Sequence, residues 1–101
     1  MYMPLFITAT YKVKPESVKK IKKAIETFTE YVKKHEPGTQ MYVAWQDEKD
    51  ETKFMHMFIF KDEEARIIHS NSEAVKKFEL IYSPELEGSV EFTHYNEVAS
   101  K

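Results

Sequence analysis

The spacing of hydrophobic residues changes along the chain, and each change predicts a new element. Residues 5–13 are mostly β-branched and aromatic, which predicts a strand. After Pro15 the apolar residues recur at steps of three and four, which predicts an amphipathic helix of about 20 residues. The pair Pro37-Gly38 ends that helix. The first half of the chain therefore predicts one strand followed by one long helix.

Three further runs predict strands in the second half of the chain. Residues 39–48 and 53–61 are close enough in sequence to form an antiparallel hairpin. Residues 89–99 predict the last strand, after a turn marked by Gly88.

Two short helices are predicted between the third and the last strand. Asp62 predicts the N-cap of the first, which ends near His69. The segment Ser70-Asn71-Ser72 restarts the second, which stops at Pro84. The resulting order is β-α-β-β-α-β, with the second helical region broken in two. This order predicts an α+β, ferredoxin-like fold, in which an antiparallel sheet carries its helices on one face. We expect residues 1–101 to form a single domain.

Both faces of the predicted sheet carry apolar side chains. On the third strand the two faces consist of Phe54, His56, Phe58 and Phe60 on one side and Met55, Met57 and Ile59 on the other. The helices need only one apolar face. The second face therefore predicts a homodimer that forms through the sheets, a dimeric α+β barrel.

Composition narrows the function classes. The 101 residues include 15 Lys and Arg against 17 Asp and Glu, which argues against nucleic-acid and anionic-membrane binding. The absence of Cys excludes disulfide scaffolds, thiol nucleophiles and Cys-ligated metal centres. No signal peptide or membrane-spanning run is visible, so the expected location is the cytoplasm.

Several segments, in order and at matching spacing, carry a resemblance to a known family. Glu36-Pro37-Gly38 is followed by Tyr42, and the passage from Phe60 through Asp62 and Ala65 leads to His69. The segment Lys76-Lys77-Phe78 fits the next helix. Together these segments resemble the antibiotic biosynthesis monooxygenase (ABM) family, whose members are small dimeric α+β barrels.

The resemblance implies oxidation of a small aromatic hydroxyl compound, a quinol or polyphenol, by O2 without flavin, haem or metal. It also places His69 in the pocket. The chain departs from the family at three places, where Phe58 and Phe60 replace a Glu-x-Trp motif, Ala74 replaces a second His, and Glu79 stands at the position of a haem-ligating His. The last departure argues against haem degradation.

His69 and His56 are the candidate catalytic residues, because imidazole is a natural base near neutral pH. His69 could instead only bond the carbonyls at the end of its helix, and His56 could be a core residue with a hydrogen-bond partner. Aromatic side chains could wall a ring-binding pocket or belong to the core; the candidate substrate-binding residues are Trp45, Phe58, Phe60 and Tyr82.

Other function classes remain open at this point. The four His are too far apart in sequence to predict a metal site. The alternating aromatics of the third strand resemble those of RNA-recognition modules, but the glycines of that motif are missing. The main alternative to the monooxygenase is a dimeric barrel that binds a small apolar ligand without catalysis.

Overall fold

The computed structural model describes residues 3–101 and has the predicted order of strands and helices. The strands are β1 (Leu5–Lys12), β2 (Thr39–Gln46), β3 (Lys53–Phe60) and β4 (Glu91–Tyr95). The helices are α1 (Val18–His35), α2 (Glu63–Ser70) and α3 (Glu73–Tyr82), with single 3-10 turns at Pro15–Ser17 and Ser83–Glu85. The prediction of a ferredoxin-like α+β fold is confirmed.

Local signals fix the helix ends. The Asp62 side chain accepts a hydrogen bond from the backbone N–H of Ala65, and Ser72 caps α3 in the same way through Val75. Lys33, Lys34 and His35 lie in the last turn of α1, where positive charge complements the helix dipole.

The four strands form one antiparallel sheet in the order β2-β3-β1-β4. The central strand β3 pairs with β1 from Leu5↔Phe60 to Lys12↔Lys53, without interruption. Residues directly opposite each other lie on the same face, so the register shows which side chains point to each face of the sheet. The helix-covered face of β1 and β3 carries Ile7, Ala9, Tyr11, Phe54, His56, Phe58 and Phe60, all buried.

No helix within residues 3–101 packs on the opposite face of the sheet. Across β2, β3 and β1 its rows are Met41–Ile59–Phe6, Val43–Met57–Thr8 and Trp45–Met55–Thr10. These rows are apolar or carry threonine, as the sequence predicts. We refer to these nine residues as the open face.

The strand boundaries differ from the prediction mainly at the last strand. β4 spans Glu91–Tyr95 and not residues 89–99, and all five of its residues are exposed. It pairs only with β1, whose register reaches Tyr95 opposite Phe6. Its last residue lies opposite Phe6, next to the first residue of β1, and the sequence does not show that point.

No helix within residues 3–101 combines the length and the apolar character needed to cross a bilayer.

Gly38 fixes the distance between the start of β2 and α2. A Cβ atom at this position would lie 2.7 Å from the Cβ of Ala65, and the Gly38 carbonyl accepts a hydrogen bond from the Lys61 N–H. The glycine is therefore required by close approach, which brings α2 against the C-terminal end of α1.

We expect Gly38→Ala to destabilise the fold by about 1–3 kcal/mol, because the new methyl group overpacks this contact. Chemical denaturation measures the loss. The double variant Gly38→Ala/Ala65→Gly restores the space and should cost clearly less than the sum of the two single variants. Strictly additive costs would contradict the role of Gly38 as a close-contact residue.

Candidate functional site

A cavity of about 410 Å³ lies between the helix-covered face of the sheet and the helices. Its sheet wall consists of Ile7, Ala9, Tyr11, His56, Phe58 and Phe60. Its helix wall includes Phe28, His69, Val75, Phe78 and Tyr82, and its rim includes Arg66, Glu79, Phe92 and His94. The volume falls in the range of small-molecule sites, which run from about 300 to 1,000 Å³. The lining is mostly aromatic, which suits a flat ring.

His69 and Glu36 form a buried pair beside this cavity. His69 Nδ1 lies 2.6 Å from Glu36 Oε1, and both residues are less than 10% exposed. The Thr39 hydroxyl donates a second hydrogen bond to the same carboxylate oxygen, at 2.9 Å. Since Nδ1 is held by Glu36, the other ring nitrogen of His69, Nε2, is the one that can serve the cavity.

The chain brings this pair together from two helix ends. Glu36 is the C-cap of α1, and His69 lies in the last turn of α2. The imidazole is surrounded by Phe58, Phe60 and Phe28, whose ring centroids lie 5.0, 5.2 and 5.6 Å away. An apolar cage excludes water and strengthens the electrostatic interaction between the two groups.

The second carboxylate oxygen, Glu36 Oε2, is buried and has no hydrogen-bond partner among the described residues. A buried acceptor without a partner lowers the free energy of unfolding. A buried carboxylate that is only partly satisfied is therefore better explained by its effect on His69 than by a contribution to folding.

Each ring nitrogen of His56 is hydrogen-bonded to a tyrosine hydroxyl. Its Nε2 lies 2.7 Å from the Tyr11 hydroxyl and its Nδ1 lies 2.6 Å from the Tyr42 hydroxyl. The residue is 2% exposed. Its direct neighbours on β1 and β2 are Ala9 and Ala44, whose small side chains leave room for the tyrosines to reach the ring diagonally.

Burial sets the protonation of this cluster. Desolvation lowers the pKa of His56 from its ordinary value of 6.5 to about 4. Desolvation also raises the pKa of Tyr11 and of Tyr42 far above the usual tyrosine range. At neutral pH the imidazole and both phenols are therefore uncharged.

The rim of the cavity is polar and more open. Arg66 on α2 bonds the Glu63 carboxylate through its Nε at 3.0 Å, and Phe92 on β4 is 65% exposed.

Comparison with known proteins assigns the chain. The sequence profile of the antibiotic biosynthesis monooxygenase family matches residues 4–79. The chain belongs to this family. No curated protein matches the sequence significantly.

Solved structures show the same fold at low sequence identity. A provisionally assigned antibiotic biosynthesis monooxygenase from Nitrosomonas europaea is 15% identical with a TM-score of 0.88, and 97% of this chain aligns with 93% of that one. A similarly assigned protein from Caulobacter crescentus is 19% identical with a TM-score of 0.89, over 97% and 92% of the two chains. The protein PA3566 from Pseudomonas aeruginosa is 22% identical with a TM-score of 0.86, over 98% of each chain.

In this ABM-family chain, five of the six predicted site residues line the cavity: His56, His69, Phe58, Phe60 and Tyr82. Trp45 does not. Because Tyr42 and Ala44 on β2 face the helices, the alternation of the strand places Trp45 on the open face, where it is 52% exposed. A register shift between Thr39 and Met41 decides which residues of β2 face the helices, and this shift is not visible in the sequence.

Three residues that matter here were not assigned a role from the sequence: Glu36, Tyr11 and Tyr42. Each acts on a histidine from another element, so only the strand register and the docking of α2 bring them together. The signal that could have found Tyr11 and Tyr42 is the pair of alanines opposite His56, which requires the strand pairing to be known.

Within residues 3–101, no group of three or more His, Asp or Glu side chains is arranged to hold a metal ion.

The pKa of His56 predicts an acid-sensitive fold. The unfolded chain takes up a proton at His56 near pH 6.5, whereas the folded chain does so only near pH 4. Between these values the unfolded state binds more protons, so the free energy of unfolding falls as the pH falls, by about 3 kcal/mol in all. Denaturation from about pH 7 to about pH 4 measures this loss.

The matched variants are His56→Gln and His35→Gln, the latter at an exposed residue at the end of α1. His56→Gln should have a lower free energy of unfolding at neutral pH, and that free energy should change less between about pH 7 and about pH 4. In His35→Gln the free energy of unfolding should depend on pH as in the wild type. An unchanged slope in His56→Gln would show that His56 is not the group that titrates.

Proposed function

We propose that this protein is a monooxygenase that oxidises a small aromatic hydroxyl compound, a quinol or polyphenol, with O2 and without flavin, haem or metal. The observation that carries the proposal is the Glu36–His69 pair beside an aromatic cavity of about 410 Å³. Family membership supports the reaction class.

The cavity has the shape and chemistry that a planar ring needs. Phe58 and Phe60 stack on each other with centroids 5.5 Å apart, and Phe28 stacks on Phe78 at 5.1 Å on the helix side. A ring held between such walls gains contact area on both faces. The polar groups that fix its orientation are then few, as in most small-molecule sites.

His69 is the proposed general base. With Nδ1–H donated to Glu36, Nε2 presents a lone pair that can take the proton of a substrate hydroxyl. The Glu36 carboxylate compensates the positive charge that then develops on the imidazole, as the carboxylate does in carboxylate–histidine catalytic units. The phenolate that forms is electron-rich enough to reduce O2 itself.

The overall reaction balances without a further reductant. A hydroquinone and O2 give a hydroxyquinone and water: one oxygen atom enters a ring C–H bond, the other leaves as water, and the substrate supplies all the electrons. The protein's own tasks are to bind the ring, remove the hydroxyl proton and exclude bulk water.

The direct test is oxygen uptake by metal-stripped protein with a panel of quinols and polyphenols. We expect turnover of at least one compound, and a loss of kcat of about 10²- to 10⁴-fold in His69→Ala, because a positioned base contributes about that much. The control is His35→Ala, which changes an exposed histidine outside the cavity.

Two results would contradict parts of this proposal. Binding of the panel without any turnover above the buffer rate would favour the non-catalytic ligand-binding protein. Turnover that survives His69→Ala combined with His56→Ala would keep the enzyme class but show that the base lies elsewhere.

We also propose that two copies pair through the open face. Besides Trp45, Met41 on this face is 45% exposed, and a free chain would leave the whole apolar surface in contact with water. The open face spans three strands without a charged residue among its nine members. A twofold pairing of such a face buries the same patch of both copies, in an interface that exceeds about 1,200 Å².

Sedimentation equilibrium at micromolar concentration should give twice the 12.0 kDa of one chain. Met57→Lys places a charge at the centre of the open face and should give a monomer, because burying an unpaired charge is costly. Leu80→Lys is the control, since Leu80 on α3 is 78% exposed and lies away from the sheet. A wild-type monomer would overturn this proposal.

A further inference from the structure

The turn between α1 and β2 holds Glu36 through its backbone and its side chain. The Thr39 N–H donates to the Glu36 carbonyl oxygen at 3.0 Å, and the Thr39 hydroxyl donates to Glu36 Oε1 at 2.9 Å. The Glu36 N–H donates to the Val32 carbonyl oxygen at 3.1 Å. Because the two backbone bonds do not depend on the side chain of residue 39, replacing the hydroxyl alone leaves the turn in place. The function proposed above assigns no role to Thr39.

The bulge in β2 places the Thr39 side chain on the helix-covered face. Thr39 lies opposite Phe60 and Tyr42 lies opposite Phe58, with the register shift between Thr39 and Met41. Residues directly opposite each other lie on the same face, so Thr39 shares a face with the aromatic cavity wall. Strict alternation would have put Thr39 and Tyr42 on different faces.

The Glu36 carboxylate has few hydrogen bonds for a buried charge. Its Oε1 accepts from Thr39 and lies 2.6 Å from His69 Nδ1, while Oε2 has no partner among the described residues. The Glu36 side chain is only 4% exposed. A carboxylate taken out of water depends on the donors that replace its hydration. Thr39 supplies the donor that does not itself belong to the titrating pair.

Proton uptake by the Glu36–His69 pair removes the base. The pair with one more proton is either an imidazolium beside a carboxylate or a neutral imidazole beside a protonated carboxyl group. In both forms His69 Nε2 carries a proton and cannot take one from a substrate. The Thr39 hydroxyl competes with the imidazolium for Oε1 in the first form, and its bond is weaker in the second because the oxygen has lost its charge. The Thr39 bond therefore opposes proton uptake in either form.

We infer that Thr39 is a positioning residue for the proposed base: its hydroxyl stabilises the ionised Glu36 carboxylate, so that the pair stays in the form in which His69 Nε2 can accept a proton. The inference rests on the proposed function for its catalytic meaning, because only there does Nε2 take the proton of a substrate hydroxyl. The protonation of the pair itself can be measured without any substrate.

Other ionisable groups surround His69 and belong to every wall of the cavity. They are Tyr11 of β1, His56 of β3, Arg66 of α2, Glu79 and Tyr82 of α3, and His94 of β4. On β2, Tyr42 packs on Phe58, which contacts His69, and on α1 the neighbour of Glu36 is the exposed His35. None of these groups changes when residue 39 is replaced. A difference between the variants therefore reports on the hydroxyl at residue 39.

The test is a pH titration of the His69 Nε2 chemical shift in the substrate-free protein, assigned with His69→Ala. Thr39→Val keeps the branched side chain and removes only the donor, so the midpoint of proton uptake should move upward by about 1 pH unit. The titration reports the pair and not one residue alone, because the two groups are in direct contact. Thr39→Ser keeps the hydroxyl and should restore the wild-type midpoint.

Thr52→Val is the matched control. The Thr52 hydroxyl also donates to a carboxylate, Asp50 Oδ1 at 2.6 Å, but this bond lies in the connection between β2 and β3 and not at the cavity. The variant removes the same type of bond with a similar loss of local order. It should keep the wild-type midpoint at His69.

The same variants give a second readout in the oxygen-uptake assay. The acid limb of the pH profile of kcat/KM reports the base of the free enzyme, so in Thr39→Val it should move upward by the same amount as the titration midpoint. A bond with a merely structural role would lower the free energy of unfolding without moving this limb.

The outcomes separate this inference from the proposed function. An unchanged or lowered midpoint in Thr39→Val would overturn the inference, as would an equal shift in Thr52→Val. If Thr39→Val fails to fold, Thr39→Ala decides in its place. If no quinol is oxidised but the midpoint still rises, the proposed function is wrong and the control of the pair by Thr39 stands. If a quinol is oxidised and the midpoint does not move, the function stands and the inference falls.

Discussion

The burial of two imidazoles among aromatic rings is the constraint on which the site depends. An imidazole taken out of water needs a partner for each polar atom, and the partner decides what the ring can do. His56 has a tyrosine hydroxyl on each nitrogen and is held in place. His69 has a carboxylate on one nitrogen only, which leaves the other available to a ligand. Two residues of the same type, separated by the ring of Phe58, therefore receive different roles.

The fold supplies these partners from elements that are distant in sequence. The uninterrupted β1–β3 register pairs His56 with Ala9, and Tyr11, two residues further along the same face, reaches the ring diagonally. The bulge in β2 places Tyr42 on that face too, where its hydroxyl reaches the other ring nitrogen. Gly38 allows α2 to approach, so that His69 reaches the carboxylate at the end of α1. Strand pairing and helix docking thus act on the site as directly as the site residues themselves.

The sequence predicts the fold well because its signals are local. Periodicity, the Asp62 cap and Pro37-Gly38 each identify an element or its end without reference to the rest of the chain. It also identifies His69 and the aromatic wall, through strand alternation and the family resemblance. Trp45 shows what local signals cannot predict. One bulge in β2 exchanges the residues that face the helices with those that face away, and Trp45 therefore lies on the open face. Glu36, Tyr11 and Tyr42 show a second limit, since hydrogen-bond partners across elements become visible only with the register.

The most direct test of the role assigned to His69 is the tautomer of its buried imidazole. Long-range proton–nitrogen correlation spectra at neutral pH, assigned with His56→Gln and His69→Ala, distinguish a proton on Nδ1 from one on Nε2. The structure predicts a proton on Nδ1 of His69, donated to the Glu36 carboxylate, so that Nε2 is free to accept. A neutral His69 with its proton on Nε2 would contradict the account, because Nε2 would then be a donor and could not take the proton of a substrate hydroxyl.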